Sequence, residues 1–432
     1  MSKGPVEEFT VSGGQDTSAT TPDPAAPTRR PGRGPAAWVS FAVVLVLLGA
    51  ALAQPLQLGA DPWSAVPDVT SVPQQAWTVQ PEEDVHLALL ADGVLVTAGV
   101  QTVRGRDPGS GAELWARELV GARCTSDGEN LVCTDSAAQV LQIEPRSGAA
   151  TELEVPQALV VTVADGDVFA LTSDGQLQRR SGGEVIWSAP VSVATDFHRG
   201  GQGLTVIAGY VLTTQVLDPA NFGASGAVFD AATGQPWERT NALVLPLDAG
   251  VWVVSHADSG SVFVHGADEP RTANGVLLQY DDQWRSSQQV TTTDDEQLGV
   301  LDRESGDLLW RTDYPAYPLA RAGGVILALA SAEQGNVVRG VQAGSGELLW
   351  ERSNAWLTCP CLSDGSTLTG HLVTVGADGS ANPEQAEIIG LDLRSGAQLW
   401  SLPRPPTTLA TLTDGEHLVL AAAAELSGWR LG

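Results

Sequence analysis

The residues with chemistry to offer are four cysteines, six histidines and a few close-set carboxylates. Cys124 and Cys133 flank Asp127-Gly128, a hairpin signal, so they are expected to face each other on neighbouring strands. Cys359 and Cys361 enclose a single proline. In the repeat frame described below, CLSDG at Cys361 matches CTSDG at Cys124, but the position opposite Cys361 is Gly370. That leaves Cys359 for Cys361 in a small ring, or a pair of redox-labile thiols. Four cysteines allow three connectivities, and the two local pairs are the expected ones. The histidines (His86, His198, His256, His265, His371 and His417) never fall at metal-ligand spacing. Asp294-Asp295-Glu296, with Asp281-Asp282 before it, has the oxygen chemistry for Ca²⁺, and a solvated loop is the expected reading. No G-x-S-x-G elbow, P-loop or H-E-x-x-H helix is present. No catalytic residue and no metal ligand is assigned, so an enzyme is not the expected reading.

Charge narrows the partners. The chain has 23 Lys+Arg against 51 Asp+Glu, a net charge of −28. No basic face is available to hold a phosphate backbone, so nucleic acid is excluded as a partner. With 43% hydrophobic and 17% charged residues, the chain has the means to bury a core. Only Lys3 is lysine, and Ala and Gly are abundant, which points to a high-GC bacterium.

The chain divides by composition. Residues 1–35 are rich in Ser, Thr, Gly and Pro and read as a disordered cytoplasmic tail. Ala36 to Ala53 is a run of 18 residues without a charge, the core of a transmembrane helix over 36–54. Arg29, Arg30 and Arg33 precede it, and no basic residue follows until Arg104. The positive-inside rule puts the N-terminus in the cytoplasm and the remainder outside, in a single-pass membrane protein. A cleaved signal peptide ending at Ala51-Leu52-Ala53 is the alternative. Residues 55–74 read as a Pro-rich linker, and 75–432 as one extracytoplasmic domain.

That domain is built from a repeat, and the repeat accounts for much of an unusual count of 13 Trp. An apolar strand leads to Asp, then Ser/Thr-Gly, then Trp. The copies are RDPGSGAELW ending at Trp115, RRSGGEVIW at Trp187, FDAATGQPW at Trp237, LDRESGDLLW at Trp310, VQAGSGELLW at Trp350 and LDLRSGAQLW at Trp400. A seventh copy, IEPRSGAATEL, lacks the Trp. Upstream lie Asp-Gly hairpin signals at Asp92-Gly93, Asp127-Gly128, Asp165-Gly166 and Asp414-Gly415. Each unit is therefore four antiparallel strands, a propeller blade. The last stretch supplies three strands, and Gln75-Ala76-Trp77-Thr78-Val79 supplies a fourth from the other chain end. The expected fold is an all-β, eight-bladed propeller, with a seven-bladed one as runner-up. Trp77 joins the six repeat Trp as residues that dock one blade on the next.

This pattern resembles the PQQ-like (BamB-like) propeller repeat, whose hallmark is Ala/Leu-Asp-x-x-Thr-Gly-x-x-x-Trp. The resemblance covers nearly all of residues 75–432 and is specific for fold rather than function. It implies as an alternative function a PQQ-dependent quinoprotein dehydrogenase, with the quinone over a Trp beside calcium. No Cys-Cys pair stands in the sequence, and no segment concentrates the Arg that a tricarboxylate quinone requires. No cofactor is therefore expected. The implied role is a binding or scaffolding module for a protein or envelope component.

Insertions point to where. Loops between second and third strands are long around 214–226, 266–297 and 376–386, whereas the Asp-Gly and Ser-Gly turns at the other end stay tight. Variable loops at one end of a rigid scaffold are a binding signal. The long-loop end is also expected to receive residues 196–199 and Cys-Pro-Cys. Phe197, His198, Arg199, Phe222 and Trp284 are the partner-face candidates.

Overall fold

A computed structural model describes residues 66–432, apart from 67, 192–201, 208, 219–222, 241–242, 249–250, 256–259, 265–277, 279, 284–285, 294, 303–304, 333–334, 354, 360, 375–385 and 406. The tail and the candidate crossing at 36–54 lie outside the described residues. Among those described, no helix is long and apolar enough to cross a membrane.

The described residues form no helix; the fold is an all-β propeller of antiparallel sheets. Sheet I holds Leu87–Ala91, Val94–Ala98, Thr102–Arg106 and Glu113–Glu118. Sheets II (Arg123–Ser126 to Ala150–Leu153), III (Ala158–Ala164 to Glu184–Pro190) and IV (Gln202–Ile207 to Pro236–Thr240) repeat that four-stranded meander. The hairpins form because Asp-Gly supplies the positive φ that their turns need. Asp92 and Gly93 sit at φ 43° and 70°, and Asp165 and Gly166 at 52° and 78°. The first strands of sheets I to IV touch in succession, and the first strand of the last sheet touches that of sheet I, so these strands face the axis.

One expected blade is two sheets instead. Leu243–Asp248, Val251–Ser255 and Gly260–Val264 form three-stranded sheet V. Gln288–Thr292, Gln297–Asp302 and Leu308–Pro315 form three-stranded sheet VI. The stretch 266–297 is thus not one long loop: its last part pairs as a strand, because Gln288–Thr292 carries β-prone residues that can bury one face. Sheet VII (Tyr317–Ala322 to Leu348–Ser353) gains a fifth strand, Tyr280–Asp281, added parallel to its innermost edge. Sheet VIII runs from Ala355–Thr358 to Gln398–Pro403.

Sheet IX closes the series with both chain ends. Thr408–Thr413, His417–Ala422 and Leu426–Arg430 are joined by Gln74–Val79, which pairs antiparallel to Leu426–Arg430. The expected outer strand is therefore present, and it removes an open edge. The Pro-rich stretch before it is not all spacer. Val66 and Val69 are 3% and 0% exposed, packed with Trp400, Leu418 and Leu420.

The tryptophans explain how sheet meets sheet. Five of them donate the indole N–H to one backbone carbonyl in the Ser/Thr-Gly turn of the next sheet, a turn that begins with Asp, Glu or Gln. Trp115 reaches Pro145 O (2.6 Å), Trp187 Ala231 O (2.9 Å), Trp310 Ala343 O (2.8 Å), Trp350 Leu393 O (2.8 Å) and Trp77 Pro108 O (2.8 Å). In every case the acceptor follows the turn's first residue. The Gly of that turn lies flat on the ring: a Cβ on Gly396 would stand 2.4 Å from Trp350. On the ring's other side, Gly340, the cross-strand partner of Trp350, leaves equally little room. The strand of Trp237 is described, and its side chain lies outside the described residues.

A prediction follows for one seam. Trp350→Ala should cost about 3–5 kcal/mol of stability, as for other large buried aromatics. Gly396→Ala should cost at least about 1 kcal/mol, since φ is +69° and the indole blocks the new methyl. The two losses should be strongly non-additive in denaturant melts; simple additivity would show that ring and turn are not one unit.

Candidate interaction face

A four-stranded meander puts its first-to-second and third-to-fourth turns at one end. The second-to-third turns and the sheet-to-sheet connections lie at the other. The two ends differ chemically.

The tight-turn end is held by carboxylates acting on their own turns. Asp107 Oδ1 accepts Ser110 N at 2.7 Å and Ser110 Oγ at 2.6 Å. Asp392 Oδ1 does the same for Ser395, at 2.7 and 2.6 Å. These bonds satisfy the turn's backbone and stabilise the ionised form. The Ser110 hydroxyl, followed by backbone N–H groups, holds the Asp107 carboxyl below its ordinary value, and Ser395 does so for Asp392. Neighbouring turns are tied as well: Arg146 Nε donates to Asp92 Oδ2 at 2.5 Å, and Asp92 N to Gly128 O at 2.6 Å.

The connection end gains residues in sheet IV, whereas the insertion before sheet VI, expected there as a loop, meets the tight-turn end: Asp282 bonds Gly323 in the first-to-second turn of sheet VII. In sheet IV the strands Tyr210–Asp218 and Gly223–Asp230 go on pairing through Val216↔Ala224 and Asp218↔Gly223, past Gln215 where the first strand's pairing stops. The expected loop at 214–226 is thus an extended hairpin, because Thr213, Thr214 and Val216 are β-prone residues that carry the strand on. Close to sheet I, Glu83 clamps a turn: its Oε2 accepts Gln101 N and its Oε1 accepts Thr102 N, each at 2.9 Å. His86 Nε2 lies 3.0 Å from Ala122 O. Phe197, His198, Arg199, Phe222 and Trp284 lie outside the described residues, as do loop residues 375–385.

Sequence reasoning missed the most constrained polar group. Arg321, on the innermost strand of sheet VII, is 1% exposed, and all five of its N–H bonds are used. Nε and Nη2 meet Asp281 Oδ1 and Oδ2, each at 2.7 Å. Nη2 also donates to Gln283 O (2.7 Å), and Nη1 to Ser286 Oγ (3.2 Å) and Gln288 O (2.9 Å). Asp281-Asp282 is therefore not a solvated acidic loop. Asp282 accepts Gly323 N at 2.8 Å, and burial pushes its carboxyl up. The one available signal was an Asp-Asp pair some forty residues before an Arg in an apolar strand, and nothing in sequence spacing ties them.

Both disulfides are present, Cys124–Cys133 and Cys359–Cys361. Cys-Pro-Cys does not belong to the long-loop end. Cys359 and Cys361 lie between two parts of the innermost strand of sheet VIII, which pairs from Ala355 to Thr358 and again at Ser363. His371 is buried beside Thr411 (Nε2 to Oγ1, 3.2 Å). Burial, with Arg404 adding repulsion, lowers its pKa to about 3, so it stays neutral. His417 Nδ1 meets Asp414 Oδ2 at 3.0 Å. His198, His256 and His265 lie outside the described residues. Among the described residues no three His, Cys, Asp or Glu converge as metal ligands. The six repeat indoles whose contacts are described, counting Trp400 and Trp77, are wedged between sheets. These residues do not fit a quinone floored by Trp beside calcium.

The sequence matches the family of the outer membrane protein assembly factor BamB over residues 99–243 and 229–414. Among solved structures, it is similar to BamB from Moraxella catarrhalis at 15% identity, covering 83% of this chain and 100% of that one, with a TM-score of 0.46. The computationally designed Ika8 protein shares 14% identity over 83% of this chain and 100% of its own, with a TM-score of 0.48. A eukaryotic initiation factor shares 12% over 75% and 89%, with a TM-score of 0.49. No curated relative matches.

Two outcomes are expected. Arg321→Met should cost about 3–5 kcal/mol, because Asp281 is left buried and uncompensated. Adding Asp281→Leu should recover much of that loss, and a thermal melt of the double variant that shows no recovery would refute the ion-pair assignment. Second, carboxylates with depressed folded pKa stabilise the fold above their ordinary range, and that contribution is lost as pH falls through the folded value. Stability should therefore drop below about pH 4. In Asp107→Asn/Asp392→Asn the drop should be shallower, measured by urea melts across that range.

Proposed function

The chain belongs to the family of the outer membrane protein assembly factor BamB, and from that premise we propose that it is a membrane-anchored extracytoplasmic propeller that binds or scaffolds an envelope protein or component. The observation that carries this reading is the difference between the two ends. One end is a set of short turns closed on themselves by Asp107, Asp392 and their equivalents. At the other, the sheet IV hairpin runs on past its first strand, through Val216↔Ala224 and Asp218↔Gly223. Residues that lengthen one end of a rigid scaffold serve recognition.

The anchor is the uncharged run from Ala36 to Ala53, with Arg29, Arg30 and Arg33 before it to hold the N-terminus in the cytoplasm. The net charge of −28 favours a partner that is neutral or cationic. Phe197, His198, Arg199, Phe222 and Trp284 remain the proposed partner contacts.

The test is a deletion of residues 219–222 in the full-length membrane protein. It joins Asp218 to Gly223 as an Asp-Gly turn and spares the pairs from Tyr210↔Asp230 to Val216↔Ala224. The melting temperature should stay within about 2 °C of wild type. Crosslinking from the exterior domain should lose its specific partner. An unchanged partner set in a correctly folded variant would overturn this binding face.

A further inference from the structure

Two disulfides share one repeat position and differ in what surrounds them. Cys124 and Cys133 are 2% and 0% exposed and stand directly opposite on paired strands. Cys361 occupies the place of Cys124 in sheet VIII and is 7% exposed. Ser363 pairs with Leu368, so the residue facing Cys361 in that register is Gly370, which has no side chain to meet it. The sulfur turns back along its own strand to Cys359.

That turn back is built into the backbone. Thr358 pairs with His371, and Ser363 with Leu368, so five residue steps on one strand face three on the other. Two residues between Thr358 and Ser363 are therefore surplus, a bulge in the first strand of sheet VIII. The strand is held beyond the bulge without the disulfide: Leu362 N donates to Thr369 Oγ1 (3.0 Å) and Thr369 N to Leu362 O (2.8 Å). Cys361 belongs to the core cluster, and Cys359, half-buried, packs against its edge. A bridge across a sequence separation of 2 also restrains the unfolded chain less than one across 9.

We propose that Cys359–Cys361 is a thiol–disulfide exchange site for a protein dithiol, while Cys124–Cys133 is a fixed structural bond. The partner's thiolate attacks Sγ of Cys359, the less buried residue of the two, and the Cys359–Cys361 bond breaks. Cys361 leaves as a thiolate and takes a proton from water. The partner's second thiolate then attacks the mixed disulfide, releasing Cys359. Two electrons pass from the dithiol to this pair; the partner ends as a disulfide and this chain as two thiols. The reverse sequence reoxidises the site.

The test uses the full-length protein under native conditions with limiting thioredoxin and its reducing system, followed by alkylation and peptide mapping. Cys359 and Cys361 should label at reductant levels about tenfold below those needed for Cys124 and Cys133, with circular dichroism unchanged. Equal labelling of the two pairs, or labelling only where the protein unfolds, would overturn the proposal. A thioredoxin lacking its second cysteine should be trapped on Cys359, and trapping on Cys361 or on Cys124 would refute the assigned direction of attack. Cys359→Ser/Cys361→Ser should fold normally and form no trapped adduct; an adduct in that variant would place the exchange elsewhere.

Discussion

The bond between an indole N–H and a carbonyl in the next sheet's turn is the contact on which the rest of this propeller depends. A four-stranded sheet alone cannot bury both of its faces. Here a Trp at the end of one sheet bridges to its successor, and it must do three things together. It fills the gap between sheets, finds an acceptor for its polar N–H, and lies against backbone that has no Cβ. Trp350 does all three, through Leu393 O, Gly396 and Gly340. The turn is kept in shape by Asp392, so a surface carboxylate supports a buried ring through one loop.

Two departures make the same point. Sheet II has Glu152 where the repeat places a Trp, four residues after its Gly, and the turn it would meet in sheet III is only Ser181-Gly182-Gly183. Ring and turn are missing together at that seam. At the closing seam no such turn exists, because the third and fourth strands of sheet IX come from opposite parts of the chain. Trp400 instead donates to Val69 O at 2.8 Å. Asp68 Oδ1 accepts Thr70 N at 2.8 Å, copying the Asp-to-hydroxyl-residue bond of the missing turn one residue shorter. Val69 N in turn reaches Asp364 Oδ2 at 3.0 Å. Residues before the first strand thus serve the ring as well as leading toward the proposed anchor.

The insertion after sheet V shows how polar chemistry is accommodated against an apolar axis. Tyr280–Asp281 adds to the inner edge of sheet VII, and Arg321 beneath it is neutralised by one carboxylate and three further acceptors. A buried guanidinium with any donor unmet would be costly, and this one has none unmet. The site is structural in the strict sense: its partners all come from the segment it holds.

Strand periodicity, Asp-Gly turns and the recurring Ser/Thr-Gly…Trp were legible in the sequence, because hairpins and repeats are local and each copy repeats the same demand. The use of both chain ends in one sheet was legible too, since the final unit was one strand short and Trp77 matched the missing strand. The sequence alone determined the local cysteine pairs, which sit within ten residues of each other. Three features were decided only by the tertiary structure: the Arg321–Asp281 pair, the role of Val69 under Trp400, and the strands inside the 266–297 stretch. Each joins residues that are far apart along the chain or whose strand partner lies in another sheet. Periodicity says which face of a strand is buried, and it carries no information about which distant group will be waiting there.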